Sequence, residues 1–541
     1  MLQEKVMLQA AVSEGLFSEH DINHAKMVAR RDKKDLITTL SFLHRIPEVS
    51  FYRAYAEFHN LKFLTAAQLQ PNIKVARKCS LGTMKSKNIF PILLNDDSEG
   101  THIACGNSPE NNLKRQMEKL FGDNIHYYLA DTRAIQTAIK NIEPILNPLS
   151  DSFSAEEEEF DPVKELTQIL DQAYLHRASD IHFEPLKQQM MVRIRVDGRL
   201  QEMPNRYDME QASSLISRIK VLSRLDIAEN RVPQDGGMSH QLENGDGFDL
   251  RVATMPAKFG ERATLRLLGT ETKLFNLKQL GMEEEELERF QNAIKLPHGM
   301  ILLTGPTGSG KSTTLYAALQ EISSPEINIL TAEDPVEQPI ENISQLQVGV
   351  KVNFAAALRS FLRHDPDVIM VGEIRDGETA DVAMKAAMTG HMVFSTLHTN
   401  TAVGCVHRLR DIGAEPFLIA STLVAAIAQR LARKLCQNCR KPLELDESYI
   451  DELSLKDEQL SNLYKPTGCA HCSGTGYRGR IALFEILWVD QHVRNAITQS
   501  ASESETIKVA KSYTSLAKDG RQKFINGLTS IEELQRLAIV R

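Results

Sequence analysis

The stretch GMILLTGPTGSGKSTTLYAAL, residues 299–319, leaves few folds open. An apolar run, Ile301 to Leu303, leads into Gly-x-x-x-x-Gly-Lys-Ser and then into good helix formers, so a strand, a tight turn and a helix come in that order. Gly305, Gly308 and Gly310 let backbone N–H groups turn inward around phosphate oxygens, and the helix that follows points its positive end at the same place. A strand that feeds a helix in this way belongs to an α/β fold. Lys311 is expected to neutralise the β and γ phosphates of ATP, and the Ser312 hydroxyl to ligate Mg²⁺. The binding loop therefore comprises Gly305, Pro306, Thr307, Gly308, Ser309, Gly310, Lys311, Ser312 and Thr313.

Hydrolysis needs more than a cradle: a carboxylate near the metal and another near the attacking water. DPDVIMVGEIRD, residues 365–376, reads as a buried strand, Val368 to Val371, closed by Gly372 and Glu373. A carboxylate just past a core strand suits Mg²⁺ or its water shell, so Glu373 takes that role beside Ser312. NILTAEDPVEQPI, residues 328–340, is a second apolar run, ending in Glu333, which is expected to polarise the water. MTGHMVFSTLHTN, residues 388–400, is a further strand flanked by His391 and His398, and His398 is the candidate sensor of the γ-phosphate.

At 541 residues the chain is too long for a single core. Residues 147–161, with Pro148, three Ser and a run of four Glu, read as a flexible acidic linker between residues 1–146 and a mixed α/β region, 162–275. The nucleotide domain follows at 276–541. A net charge of -8 and 6% aromatic residues give little support to a nucleic-acid channel. The N-terminus lacks the unbroken apolar core of a signal peptide, and the longest apolar stretch, 417–428, is shorter than the roughly 20 residues that span a bilayer. A cytoplasmic chain that reaches the membrane through partners is expected.

Seven cysteines, an odd number, argue against a disulfide framework. Four form two Cys-x-x-Cys pairs, Cys436 with Cys439 and Cys469 with Cys472, separated by the 29 residues 440–468. The gap is longer than the usual roughly 15 to 20 residues of a zinc ribbon, but four thiolates close a tetrahedral Zn²⁺ site with no open position, hence a structural one. A redox dithiol would need one pair in a thioredoxin-like setting.

Taken in order, the phosphate loop, AEDPVE, DPDVIMVGEIRD and TGHMVFSTLHTN resemble the Walker A, Asp box, Walker B and His box of secretion ATPases. More narrowly, residues 160–541 resemble the assembly ATPases of type II secretion systems and type IV pili, through SDIHFEP (179–185), RVDGRL (195–200), RVPQDGG (231–237), the tetracysteine segment and the closing KDGRQKFINGLTSIEELQRLA.

The resemblance implies a RecA-like P-loop domain, a PAS-like second domain, an N-terminal α/β domain, a tetracysteine zinc subdomain at 430–485 and a helical C-terminal part at 486–541. It implies a homo-hexamer in which arginines of the second domain, here Arg251 and Arg266, act as fingers on the phosphates. It further implies coupling to an inner-membrane platform protein on the cytoplasmic face of a bacterial inner membrane. The N-terminal region is expected to bind a membrane-anchored cytoplasmic partner domain. Residues 8–31 lack the Arg-Leu-Gly opening of relatives that bind cyclic di-GMP, so no such site is expected. The alternative is a competence-related or nucleic-acid-translocating P-loop motor.

Overall fold

The computed structural model describes residues 2–94, 100–146, 160–242, 244–269, 276–444 and 457–539. By contact the chain forms two compact units. The first holds residues 1–270 together with 436–439 and 467–476; the second holds 271–435, 440–466 and 477–541. The two regions read from sequence as an N-terminal and a second domain thus share one unit, and the linker expected between them lies almost wholly outside the described residues.

The first unit opens with four helices, α1 (Leu2–Ser13), α2 (Glu19–Asp32), α3 (Leu36–His44) and α4 (Glu48–Phe58). Their ends are set locally. Ser18 and Asp21 cap α2 reciprocally, the Asp35 carboxylate accepts from Thr38 N at 2.9 Å, and Lys33 and Arg45 close α2 and α3 in the left-handed region. Small residues, Ala10, Ala11, Ala25 and Ala54, pack with Leu40 and Phe51 into their shared core.

A four-stranded sheet follows: β1 (Lys62–Leu64), β2 (Ile89–Ile92), β3 (Thr101–Cys105) and β4 (Ile125–Ala130), in the order β1-β4-β3-β2. The second sheet is antiparallel throughout: β5 (Ala178–Pro185), β6 (Met190–Val196), β7 (Arg199–Tyr207), β8 (Gln234–Gln241), β9 (Gly247–Ala257) and β10 (Gly260–Leu268), ordered β7-β6-β5-β10-β9-β8. Asp197 (φ +47°) and Gly198 (φ +82°) make the tight hairpin that the sequence predicts between β6 and β7. Along β9, Phe248, Leu250 and Val252 point into the core while Arg251 points out, the period of a half-buried strand. Phe42 of α3 joins this core, and Arg45 Nε donates to the Tyr174 carbonyl at 2.8 Å.

The second unit is built on an eight-stranded sheet. Its strands are β11 (Gly299–Thr304), β12 (Ile329–Glu333), β13 (Ser344–Gln347), β14 (Val368–Val371), β15 (Met392–Leu397), β16 (Leu423–Leu435), β19 (Tyr477–Trp488) and β20 (Tyr513–Thr514), ordered β13-β12-β14-β15-β11-β16-β19-β20. A small hairpin of β17 (Lys441–Pro442) and β18 (Tyr464–Lys465) lies between β16 and β19 in the chain. From β13 to β16 the strands are parallel, and β11, β14 and β15 are buried at every position, which explains their unbroken apolar runs. Residues 430–435 and 477–485, read as part of a zinc subdomain, are central sheet strands, so the insertion proper is shorter than 430–485. The apolar run 417–428 divides between helix Pro416–Thr422 and β16. Among the described residues no helix is long and apolar enough to cross a membrane.

Strand β16 is tied to helix Ile531–Arg536 by a buried charge network. The Glu533 carboxylate, fully buried, accepts from Arg433 Nη2 at 2.9 Å, from Arg433 N at 3.1 Å and from Arg536 Nη2 at 2.6 Å. Burial alone would raise its pKa, but hydrogen bonds from Arg536 and Arg433 outweigh it and lower the carboxyl from 4.5 to about 2. Because the folded value lies below the unfolded one, this contribution is complete above about pH 4.5 and is lost as the pH falls towards 2. Glu533→Ala leaves Arg433 buried without its counter-charge and should destabilise this unit by about 3–5 kcal/mol. The check is a denaturant titration at pH 7, repeated at pH 3, where the difference between wild type and variant should shrink.

Candidate functional site

The parallel strands bring the candidate residues to one edge. β12, β14, β15 and β11 lie side by side and point the same way. Glu333 ends β12, Glu373 lies just past β14, His398 follows β15, and Gly305 follows β11. Ligands of such sheets bind outside the carboxyl ends of the strands. Hydroxyls stitch this edge together: Ser395 Oγ donates to the Val371 carbonyl at 2.8 Å, Thr396 Oγ1 to that of Gly372 at 2.7 Å, and Thr399 N to Thr304 Oγ1 at 2.7 Å. His391 precedes β15 and so belongs to the opposite edge, where its Nδ1 lies 2.9 Å from the Ala386 carbonyl oxygen.

In the loop after β11, Gly305, Gly308 and Gly310 have φ of +141°, +75° and +88°. A Cβ at Gly305 would fall 2.5 Å from the Gln429 carbonyl oxygen, and one at Gly310 would fall 2.8 Å from Gln429 Nε2. Glycine is thus required both by conformation and by the close approach of β16. Helix Lys311–Ile322 starts at Gly310. Lys311 Nζ is buried and donates to the Gly305 and Pro306 carbonyls at 2.8 and 3.2 Å. Burial pulls its ammonium below the usual lysine range, and the Glu373 carboxylate works against that shift. Ser309 Oγ is buried without a hydrogen-bond partner. An orphaned hydroxyl and a buried ammonium at a helix N-terminus fit the phosphates of a nucleotide. Ser312 and Glu373 supply hard oxygen donors of the kind Mg²⁺ takes.

Glu373, only 14% exposed, is gripped from two sides: Arg375 Nη2 pairs with Oε1, and His398 Nε2 lies 3.3 Å from Oε2. Glu333 is more deeply placed. Its Oε2 accepts from the Tyr316 hydroxyl, and its Oε1 accepts from Thr331 Oγ1 at 2.5 Å and from Gln345 Nε2 at 3.0 Å. Burial, and then the bond to Glu333, hold the Tyr316 phenol well above its ordinary pKa, so it stays a donor.

The four paired cysteines converge. The Sγ atoms of Cys436, Cys439, Cys469 and Cys472 all lie within 4.8 Å of one another, with 3.9 Å between Cys436 and Cys469 and 3.8 Å between Cys439 and Cys472. A tetrahedron with bonds of about 2.3 Å has edges of about 3.8 Å, so this is the spacing of a Zn²⁺ tetrathiolate and too long for disulfides. Backbone N–H groups of Gly468, Cys469 and Gly476 donate to the sulfurs at 3.2 to 3.3 Å, as thiolates require.

The family described as "Type II/IV secretion system protein" matches residues 156–536. The chain belongs to that family. It is 47% identical over 395 residues to a type II secretion system ATPase E of Vibrio cholerae, covering 72% of this chain and 78% of that one. Identity to the type IV pilus assembly ATPase PilB of Myxococcus xanthus is 40% over 445 residues, 77% of this chain and 78% of the other. The crystal structure of the Legionella pneumophila ATPase DotB is similar at a TM-score of 0.52 and 25% identity, covering 71% of this chain and 97% of DotB.

In this type II/IV secretion ATPase, Arg251 and Arg266 belong to the first unit, and the strand-edge cluster belongs to the second. They face each other across β9 and β10, in the first unit. Arg251 is exposed, while Arg266, with a side chain 59% exposed, donates from Nε to Asp180 at 3.0 Å. The pairing is a strand register that reading motifs one at a time misses. Also missed were Tyr316, Gln345, Gln429 and Arg430. Arg375 sits inside the Walker B stretch and was legible there as the cation nearest Glu373. Nothing local marks Arg430, whose Nη1 would lie 3.1 Å from a Cβ at Gly305.

Proposed function

We propose that this ATPase works as a ring of six copies that drives assembly of a pilus or pseudopilus filament, in type II protein secretion or type IV pilus extension. The observation that carries the reading is the alignment of the phosphate loop, Glu373, His398 and Glu333 along one edge of four adjacent parallel strands. Similarity to ATPases of both systems supports it.

In the proposed reaction the loop residues 305–313 hold the phosphates and Lys311 balances their charge. Mg²⁺ held by Ser312 and Glu373 would stabilise charge on the β and γ phosphates. A carboxylate offers about four lone pairs, of which Glu333 uses three, so Oε2 can still accept a proton from the attacking water. The water oxygen bonds to the γ phosphorus as the bond to the bridging oxygen breaks, giving ADP and phosphate. His398 responds to loss of the γ-phosphate in this reading, which its 3.3 Å approach to Glu373 supports. Arg251 and Arg266 are the fingers, residues 162–275 their carrier, and residues 1–146 the part that meets a membrane-anchored partner. An inner-membrane platform protein receives the motion.

Mixing variants tests the fingers. In an equal mixture of Arg251→Ala and Lys311→Ala chains, roughly a quarter of the interfaces pair two intact halves, so part of the lost turnover should return. No rescue at any ratio counts against an arginine acting across a subunit boundary. For the cellular role, affinity capture from the native host membrane should recover a secretion or pilus platform protein; recovery of DNA instead would overturn the reading.

A further inference from the structure

The cysteine centre does not stand alone. Its tips, residues 436–439 and 467–476, belong by contact to the same unit as the N-terminal helices. Ala470, 1% exposed, is part of the core of α1–α4. His471 Nε2 lies 3.2 Å from the Glu14 carbonyl oxygen, and Ser473 Oγ lies 3.3 Å from Ser50 Oγ. On α4, Ser50, Arg53 and Glu57 follow one another at three- and four-residue spacing, so they share one stripe of the helix. All three face the cysteine segment: Glu57 accepts from the Ala470 N–H, and the Arg53 guanidinium lies against Gly474 so closely that a Cβ there would overlap it.

Arg53 is the unusual member. Its guanidinium stacks over the Phe63 ring at 4.6 Å, its Nε is buried without a hydrogen-bond partner, and the acidic groups that act on it are Cys472, Glu57 and Cys469. A guanidinium whose Nε is shut off from water needs a counter-charge. Glu57 offers one, and neutral thiols add nothing to it. A Zn²⁺ ion with four thiolates adds more, since four negative charges and two positive leave a net charge of about −2.

We infer that Arg53 is the outer cation of the metal centre, and that bound metal clasps the tetracysteine segment to the N-terminal helices through the Ser50–Arg53–Glu57 stripe of α4. This rests on the zinc reading of the cysteines. Metal occupancy and the docking of α4 are then linked: metal strengthens the hold on Arg53, and Arg53 strengthens the hold on metal. Because the tips continue directly into β16 and β19, the clasp is continuous along the chain with β16, whose Gln429 lies against the phosphate loop.

The test uses the full chain purified with its zinc. Metal content is measured first, and one Zn²⁺ per chain is expected. A chain that holds no zinc overturns the zinc reading and the clasp with it. Zinc affinity is then compared by competition with a chromogenic chelator for wild type, Arg53→Gln and Arg53→Lys. The glutamine variant should bind zinc about tenfold more weakly, and lysine should restore part of the loss. Hydrogen exchange of wild type before and after zinc removal should show faster exchange over residues 48–58, with the second sheet unchanged. Full zinc loading with unaltered affinity in Arg53→Gln, or unaltered exchange in α4 on zinc removal, overturns the clasp and leaves the zinc site standing. Should Arg53→Gln prove unfolded, the wild-type exchange experiment decides alone.

Discussion

Lys311→Ala should lower ATP turnover at least about a hundredfold while the chain stays folded. The lysine is buried at the start of helix Lys311–Ile322, and its ammonium donates to two loop carbonyls, those of Gly305 and Pro306. Those carbonyls lie in the phosphate-binding loop, so the same ammonium is within reach of phosphate oxygens. Removing a preorganised positive donor from charge that grows in the transition state costs on the order of 10² to 10³ in rate. Alanine is a good helix former, and the glycine geometry of the loop does not depend on the lysine, so folding should hold. Phosphate release and a thermal melt on the same sample separate the two effects. Unchanged turnover would remove the loop from the chemistry.

Glu373→Gln should keep nucleotide binding and lose hydrolysis, by about a hundredfold or more. The amide matches the carboxylate in size, so the strand edge need not move. It carries no charge, however, and Glu373 is at present the counter-charge for Arg375, a partner for His398 and an opposing charge to Lys311. A neutral side chain here weakens the hold on a divalent cation and leaves Arg375 with Asp334, 3.8 Å away, as its counter-charge. A fluorescent-nucleotide titration should show binding within a few-fold of wild type, against turnover near background. An active variant takes Glu373 out of the mechanism.

Much of the motor was legible in the chain because its rules are local. The positive φ values at Gly305, Gly308 and Gly310, the strand before them and the helix after them follow from neighbours in sequence. The continuous apolar runs of β11, β14 and β15 announced strands buried on both faces. The division of the first 270 residues was less legible. Each part has its own apolar pattern, but only tertiary contact shows Phe42 entering the second core and Arg45 stacked 4.2 Å over Tyr174. Where the cysteine insertion begins and ends is hard to read from sequence for a similar reason. Residues 430–435 pair with 477–483 as sheet, and an apolar strand next to a cysteine motif carries no mark of which body it joins.

The sequence by itself determined which chemistry the chain carries: a phosphate loop, two carboxylates past core strands, and four cysteines in two pairs. Residue type and short spacing are enough for that, because the donors and the backbone freedom they need are written within a few residues. The tertiary structure decided which groups meet. It set His398 beside Glu373 and sent His391 to the far edge, because parallel strands align only their like ends. It placed Tyr316 on Glu333, Gln429 behind the loop, Arg251 opposite Arg266, and Arg53 of α4 against the cysteine centre. Those partners are up to hundreds of residues apart, and no local pattern encodes a pairing that only strand order and packing create.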